Sequence, residues 1–139
     1  MQRRNNAALP VPTESEEQQT LFQWAVIQSG RFPELALMYH VPNGGSRSKA
    51  EAGRFKAEGV KAGIPDICLP VARGGFHGLY IELKRQRGGK VSETQTEWME
   101  RLKAQGYCVA LCFGWEPAAQ VILDYLKMED MAYGTKQET

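Results

Sequence analysis

The sequence is poor in the residues from which several common kinds of site are built. It has three cysteines, Cys68, Cys108 and Cys112, and no two of them are spaced as CxxC. An odd, dispersed set argues against a disulfide framework and against a thiolate zinc site. His40 and His77 are its two histidines, too few for a histidine-based metal site. We therefore expect buried free thiols in a reducing compartment.

Long apolar runs and a large net charge are also missing. No run reaches the length of a membrane span, and residues 1–6 are not followed by the apolar stretch of a secretory signal. We therefore expect a cytoplasmic protein without a membrane partner. The net charge of +1 excludes a uniformly basic nucleic-acid coat, and 139 residues suffice for one domain with a single core.

The basic residues that are present are concentrated in two segments. Residues 44–61 carry five basic residues against two acids, and residues 84–90 carry four basic residues and no acid. Such segments suit local contact with phosphate groups, although a solvated charged surface would give the same pattern. The candidate phosphate-contacting side chains are Arg47, Lys49, Arg54, Lys56, Arg85, Arg87 and Lys90.

Periodicity and turn signals predict one α/β domain in residues 13–127. A flexible arm is expected before it, at residues 1–12, and an acidic tail after it, at residues 128–139. The predicted order of the elements is αβαββαβα, which gives a mixed β-sheet flanked by helices. The step from the third strand through a helix to the fourth predicts a right-handed crossover between parallel strands.

Capping residues mark two of the helices. Thr13 and Glu16 form a capping box at the start of the first helix, and Ser92 with Gln95 forms another at the start of the third. The other expected elements are strands at residues 35–41, 67–71, 78–84 and 107–113, the last in the sheet centre, and helices at residues 48–58 and from Pro117 onward.

Two acidic residues sixteen positions apart carry the main chemical signal. Asp66 precedes one apolar strand and Glu82 lies near the end of the next, with a glycine-rich hairpin loop between them. The hairpin would bring the carboxylates together, and strand alternation would place Glu82 and Lys84 on one face. Carboxylate and carbonyl oxygens suit Mg²⁺ and Mn²⁺, so Asp66, Glu82 and the Leu83 carbonyl form a candidate metal site. A turn cap at Asp66 and a surface ion pair of Glu82 with Lys84 are the alternatives.

Taken jointly, the two acids and the lysine favour metal-dependent hydrolysis of a phosphodiester. Lys84 would stand near the attacking water or the phosphate, where a cation stabilises developing negative charge. Pro65-Asp66 and Glu82-Leu83-Lys84 also stand in an ordered series of segments that resembles the VRR-NUC domain, a branch of the PD-(D/E)xK nucleases. The resemblance covers about residues 13–126 and is carried by segments 18–24, 41–45, 56–66 and 78–84 and by Gln95 before Trp98.

The resemblance implies a restriction-endonuclease-like fold and assigns roles to individual residues. Asp66 and Glu82 would hold Mg²⁺ or Mn²⁺, and Lys84 would be the catalytic lysine. Gln95 would reach back towards the metal or the water, although its place in a capping box with Ser92 explains it equally on structural grounds.

The family also uses an acid on the first helix, and here the sequence offers three. Glu17 lies on the inward stripe of Leu21 and Trp24, so we assign it as the further catalytic acid and metal ligand. Glu14 is the reserve, and Glu16 is better explained as the acid of the capping box.

By the same resemblance the protein is expected to be an endonuclease of the stand-alone phage and bacterial type, acting on branched DNA such as four-way (Holliday) junctions. Asn43 would lie in a loop near the DNA, beside the basic side chains. A homodimer is implied, because symmetric cutting of a junction needs two sites related by a two-fold axis. No organic cofactor is implied. The alternatives are a flap or end-directed nuclease with the same site, and a module that binds DNA without cutting it.

Overall fold

The computed structural model describes residues 9–42 and 48–129, which contain four strands and four α-helices. Their order is αβαββαβα, so the predicted order is confirmed, with a short 3₁₀ helix added after the first helix. The predicted arm and acidic tail lie mostly outside the described residues. The elements are α1 (Glu14–Gln28), the 3₁₀ helix (Pro33–Leu37), β1 (Tyr39–His40), α2 (Lys49–Ala57), β2 (Ile67–Leu69), β3 (Leu79–Lys84), α3 (Glu93–Ala104), β4 (Cys108–Phe113) and α4 (Trp115–Leu126).

The strands form one mixed sheet in the order β1-β2-β3-β4. The pairs β1–β2 and β2–β3 are antiparallel, and β3 and β4 are parallel with α3 connecting them. This confirms the restriction-endonuclease-like class predicted from the sequence. The predicted central position of β4 is wrong. Within the described residues β4 pairs with β3 alone, and two of its apolar side chains, Leu111 and Phe113, are exposed.

The strand predicted at residues 35–41 is mostly a different structure. Pro33 stands at the start of the 3₁₀ helix, where its fixed φ angle suits helical geometry and its missing N–H costs nothing. The buried residues that follow are Leu35 and Met38, three positions apart, which is the period of a 3₁₀ helix and not of a strand. Tyr39 and His40 alone pair with β2.

The β2–β3 hairpin forms as predicted, and its turn explains the two consecutive glycines. Arg73 and Phe76 exchange backbone hydrogen bonds around Gly74 and Gly75. Both glycines have positive φ angles, 57° and 86°, as a type I′ turn requires. The turn fixes the register, which pairs Ile67 with Ile81. Because β2 starts at Ile67, Asp66 stands opposite the end of β3.

The two faces of the sheet have different roles. One face, with Ile81 and Leu83 of β3 fully buried, packs with residues of α1 and α4 in the hydrophobic core. The opposite face carries Glu82 and Lys84, as the strand alternation predicts. Cys68 and Cys112 are buried free thiols, and Cys108 is a partly buried one. Within the described part of the chain, no helix has both the length and the apolar character needed to cross a bilayer.

Candidate active site

Three carboxylates from three elements meet at one end of the sheet. Glu14 is the first residue of α1, Asp66 immediately precedes β2, and Glu82 is near the end of β3. Each supplies an oxygen atom, and these atoms all lie within 4.8 Å of one another. Both capping boxes predicted from the sequence are present. The box at Thr13 starts α1 one residue before Glu14, which places that residue beside the hairpin.

The carboxylate of Glu82 is the most buried of the three and is only partly satisfied. Its side chain is fully buried, and its Oε2 atom has no hydrogen-bond partner among the described residues. The pKa of Glu82 is raised to about 8. Burial is the main cause of this shift, and the negative charge of Asp66 is the next. A buried carboxylate oxygen without a partner is costly. A divalent cation would satisfy it and offset the repulsion between the acids.

Glu14 and Asp66 complete the acidic group. Burial, followed by the charge of Asp66, raises the pKa of Glu14, and the charge of Lys84 opposes this shift. One oxygen of Asp66, Oδ2, accepts a hydrogen bond from the backbone N–H of Leu83 at 2.9 Å. The N–H and C=O groups of a strand residue point to the same side, so the Leu83 carbonyl points towards the side on which Asp66 lies.

Lys84 and Gln95 form a hydrogen-bonded bridge to Glu82. The Lys84 Nζ atom lies 3.4 Å from Glu82 Oε1 and 3.2 Å from Gln95 Oε1, and its side chain is almost fully buried. Gln95 Nε2 donates to Glu82 Oε1 at 2.9 Å. Gln95 Oε1 also accepts from the Ser92 backbone N–H at 2.9 Å, closing the capping box. Gln95 therefore closes the capping box and contacts the acidic group at the same time.

Glu17 lies outside this acidic group. It is inward-facing, as its helical stripe predicts, and is 1% exposed. Its carboxylate accepts from the backbone N–H of Trp115 at 2.6 Å and from Gln86 Nε2 at 2.9 Å. Trp115 is the first residue of α4, whose N-cap, Gly114, has no side chain to cap the helix. Glu17 thus caps α4 from another element, and the structure brings Glu14, the reserve acid, to Asp66 and Glu82 in its place.

His40, which the sequence suggests for the core or the rim of the site, lies at the rim. Its Nδ1 atom lies 2.9 Å from the backbone oxygen of Asp66, which also accepts from the N–H of Val41 at 2.7 Å. The side chain is exposed. The signal for this contact is the pairing of His40 with Ile67, the residue after Asp66. The sequence alone does not reveal that pairing.

The basic candidates for DNA contact occupy two places. Lys49, Arg54 and Lys56 are exposed on α2. Arg87 and Lys90 are exposed after β3, while Arg85 is partly buried and donates from Nη2 to the Val11 carbonyl at 3.3 Å. The other two candidates, Asn43 and Arg47, lie outside the described residues.

Taken together, these groups are suited to a hard divalent cation beside a phosphate. The three carboxylates provide only oxygen ligands, which is the set that Mg²⁺ and Mn²⁺ prefer. The buried cation of Lys84 stands next to that set with its side chain fixed by Gln95. Arrangements of this kind stabilise charge that develops at a phosphoryl group.

Comparisons with known proteins relate the chain to one family. The family model of the VRR-NUC domain matches residues 9–115. A solved structure described as a VRR_NUC domain protein superimposes with a TM-score of 0.76 and 34% sequence identity, covering 88% of this chain and 94% of that chain. Comparison with curated proteins gives no match. The matched residues include all three carboxylates of the acidic group, Lys84 and Gln95.

Proposed function

The chain belongs to the VRR-NUC domain family, a family of nuclease domains, and from this premise we propose that it is a Mg²⁺- or Mn²⁺-dependent DNA endonuclease. We further propose that it selects branched DNA such as four-way junctions. One observation carries the proposal: three carboxylates converge within 4.8 Å beside a buried lysine, and one buried oxygen of Glu82 has no partner in residues 9–42 and 48–129.

Each side chain has a distinct part in this proposal. Glu14, Asp66 and Glu82 would hold the cation, with the carbonyl of Leu83 as a further ligand. When bound, the cation lowers the pKa of a water molecule and neutralises charge on the phosphoryl oxygens. The Lys84 ammonium group would face the phosphate and stabilise the negative charge that develops as water adds to phosphorus and the bond to the leaving oxygen breaks.

Gln95 acts as a positioning residue. Its amide holds the Lys84 ammonium group with one atom and Glu82 with the other, at 3.2 Å and 2.9 Å. Because the capping box fixes its backbone and side chain, the lysine and the acid keep a constant separation without reorganisation during the reaction.

Cleavage of labelled DNA by matched variants tests the metal dependence. Asp66→Asn and Glu82→Gln keep the shape of each side chain and remove its charge, and each is expected to lower turnover at least a hundredfold. Glu100→Gln removes an exposed acid on α3 and serves as the control. Cleavage by the wild type should require Mg²⁺ or Mn²⁺ and stop with a chelator. Undiminished cleavage by either site variant would refute the proposal.

A panel of DNA structures of identical sequence tests the substrate. A four-way junction, a flap, a single strand and a duplex are compared, together with a junction whose four arms are closed by hairpin loops and which has no strand end. Cutting of the closed junction separates an endonuclease from an end-directed enzyme. Preference for the flap over the junction would support the alternative nuclease, and tight binding without any cutting would support a binding module.

We propose that the protein acts as a homodimer. One acidic group cuts one strand, so symmetric cutting of a junction needs two copies related by a two-fold axis. Sedimentation at several concentrations, with and without junction DNA, tests this point. A protein that stays monomeric on junction DNA and still cuts both strands at the same rate would contradict it.

A further inference from the structure

Phe113 is a large apolar side chain that remains 43% exposed at the end of β4. The strand register pairs it with Lys84, and it lies on the same face of the sheet. Neighbouring strands lie about 4.8 Å apart, so the aromatic ring stands one strand away from the lysine of the proposed site. Aromatic side chains contribute large contact areas at binding surfaces.

Phe113 also forms one wall of a cleft at this end of the sheet. The volume of the cleft is about 290 Å³, near the lower end of the range for ligand sites. The cleft lies at the same end of the sheet as Lys84, because the N–H of Gly114, one of its lining residues, donates to the carbonyl of Lys84 at 2.8 Å. The lining residues are Gln86, Phe113, Gly114, Glu116 and Pro117.

The chemistry of the lining argues against a phosphate in this cleft. The lining residues include no cation and one carboxylate, that of Glu116, which would repel an anion. The first backbone N–H of α4, on Trp115, already donates to Glu17, so it is not available to a phosphate.

The same lining suits the edge and the face of a nucleobase. Gln86 donates from its amide nitrogen to Glu17, which orients the amide and leaves its oxygen as an acceptor. Glu116 provides further acceptor oxygens. The N–H groups on base edges are the matching donors, and the ring of Phe113 provides a surface for stacking.

We propose that Phe113 and this cleft bind one unstacked nucleobase of the DNA substrate, next to the phosphodiester that is cut. The inference rests on the proposed function, since it assumes that DNA lies across the acidic group. Branched DNA exposes bases at the branch point, so the subsite would favour a branch over a continuous duplex. Stacking of one base on an aromatic side chain is worth roughly tenfold or more in affinity.

A binding cycle between protein and DNA tests the subsite. Affinity for junction DNA is measured by fluorescence anisotropy in a chelator, so that no strand is cut. The DNA carries either a normal nucleotide or an abasic one at each of the positions that flank the cut. Phe113→Ala is expected to weaken binding of normal DNA roughly tenfold or more. It should have no effect on DNA that is abasic at one of these positions.

Two further variants keep the test independent of folding. Phe113→Leu keeps an apolar side chain and should show the same loss as Phe113→Ala. Phe113→Trp restores an aromatic face and should recover the binding. Thermal unfolding of each variant is measured alongside, and Leu37→Ala, which truncates an exposed apolar residue far along the chain, is the control. Equal loss of affinity for normal and all abasic DNAs, or no loss for either, would overturn the subsite.

The design separates this inference from its premise and from its main competitor. Wild-type protein that binds no DNA would overturn both the subsite and the proposed function. If the protein binds DNA and cleaves it with metal, but the effect of Phe113→Ala is the same on normal and abasic DNA, the subsite alone is overturned. If Phe113→Ala and Leu111→Ala both dissociate a dimer while the abasic positions have no effect, a second copy of the chain covers β4, and the subsite is wrong.

Discussion

At the scale of single residues, two acids on one helix have separate tasks. Glu14 is partly exposed and joins the acidic group, whereas Glu17 is buried and caps α4 through Trp115. We therefore expect Glu14→Gln to weaken binding of Mn²⁺ and slow cleavage with little change in stability. Glu17→Ala should lower the free energy of unfolding by about 2–3 kcal/mol, because a partly buried N–H and an amide lose their acceptor. Calorimetric titration of Mn²⁺ and denaturant unfolding measure the two effects.

The pair serves as its own control, since both residues lie on α1 three positions apart. A Glu17→Ala protein that remains as stable as the wild type but loses its Mn²⁺ affinity would show that the original assignment from the helical stripe was right. The stripe identified Glu17 as inward-facing, which is confirmed. The sequence could not reveal that this inward position faces the start of α4, because that contact joins residues 98 positions apart.

The raised pKa of Glu82 predicts a pH dependence of stability in the metal-free protein. The ordinary value is 4.5 and the folded value is about 8. Between these values the folded state retains a proton that the unfolded state has released, so the free energy of unfolding should fall as the pH rises. The fall is up to about 1.4 kcal/mol per pH unit. Denaturant unfolding in a chelator, from pH 5 to pH 8, measures it.

Glu82→Gln isolates this contribution, because the amide keeps the shape and does not titrate. The stability difference between variant and wild type should grow in favour of the variant as the pH rises through this range. Parallel pH profiles for the two proteins would mean that the folded carboxyl group keeps an ordinary pKa.

At the scale of elements, the sequence predicts best where local chemistry decides the structure. The capping residues Thr13 and Ser92 mark helix starts correctly, and Gly74 with Gly75 fits the turn that aligns Asp66 with β3. Prediction failed where an apolar run is compatible with more than one kind of secondary structure. Residues 35–41 are as apolar as a strand, but Pro33 and the spacing of the buried positions favour a 3₁₀ helix.

The position of β4 in the sheet was another feature that local sequence could not determine. Six apolar residues suggest a central strand, but the order of strands depends on which neighbours are available. Leu111 and Phe113 stay exposed, so the described elements cover the outward face of β4 only in part. The proposed nucleobase subsite lies on this face.

One glycine of α2 and two glycines of the loop from α2 to Asp66 provide a test of how strongly this loop is constrained. Gly53 lies within α2 and has no neighbour within 4 Å of an added Cβ. Gly59 has equal space but a φ angle of +96°, and Gly63 combines a φ angle of +90° with an added Cβ 2.6 Å from Thr94 Cγ2. Alanine should stabilise the protein by about 0.5–1 kcal/mol at Gly53 and destabilise it by about 1–2 kcal/mol at Gly59.

The largest loss of stability is expected for Gly63→Ala, because the backbone strain is joined by a collision with α3. Gly63 lies three residues before Asp66, so the displaced loop should also weaken Mn²⁺ binding. Denaturant unfolding gives the order, and metal titration tests the link to the site. Equal losses of stability at Gly59 and Gly63 would mean that Thr94 moves aside without lowering the free energy of unfolding.

At the scale of the whole molecule, the groups that carry charge chemistry converge on one end of the sheet. The first turns of α1, α3 and α4 contribute Glu14, Gln95 and the Trp115 N–H respectively to this end. The N-termini of three helices therefore lie at this end of the sheet, and the positive ends of their dipoles favour the carboxylates there. The hairpin turn at Gly74 lies at the other end, beside Met128 after α4.

This polarity predicts how DNA affinity depends on salt, although the net charge of the chain is only +1. Each phosphate contact made by a basic side chain should contribute about −0.9 to the slope of log affinity against log salt concentration. Lys56→Ala and Arg87→Ala should each reduce the magnitude of that slope by about one, without changing the rate of cleavage at saturating DNA. Anisotropy titrations between 50 and 200 mM salt, roughly the range over which such effects are large, measure it.

Lys127→Ala is the matched control, because it removes the same charge from an exposed position after the last turn of α4, away from the acidic group. It should leave the slope unchanged. If all three variants alter the slope equally, the protein attracts DNA through its overall charge and not through a defined surface. The basic residues of α2 and of the segment after β3 would then be a solvated surface, as charge composition alone allows, and the orientation of DNA across the acidic group would have to come from other contacts.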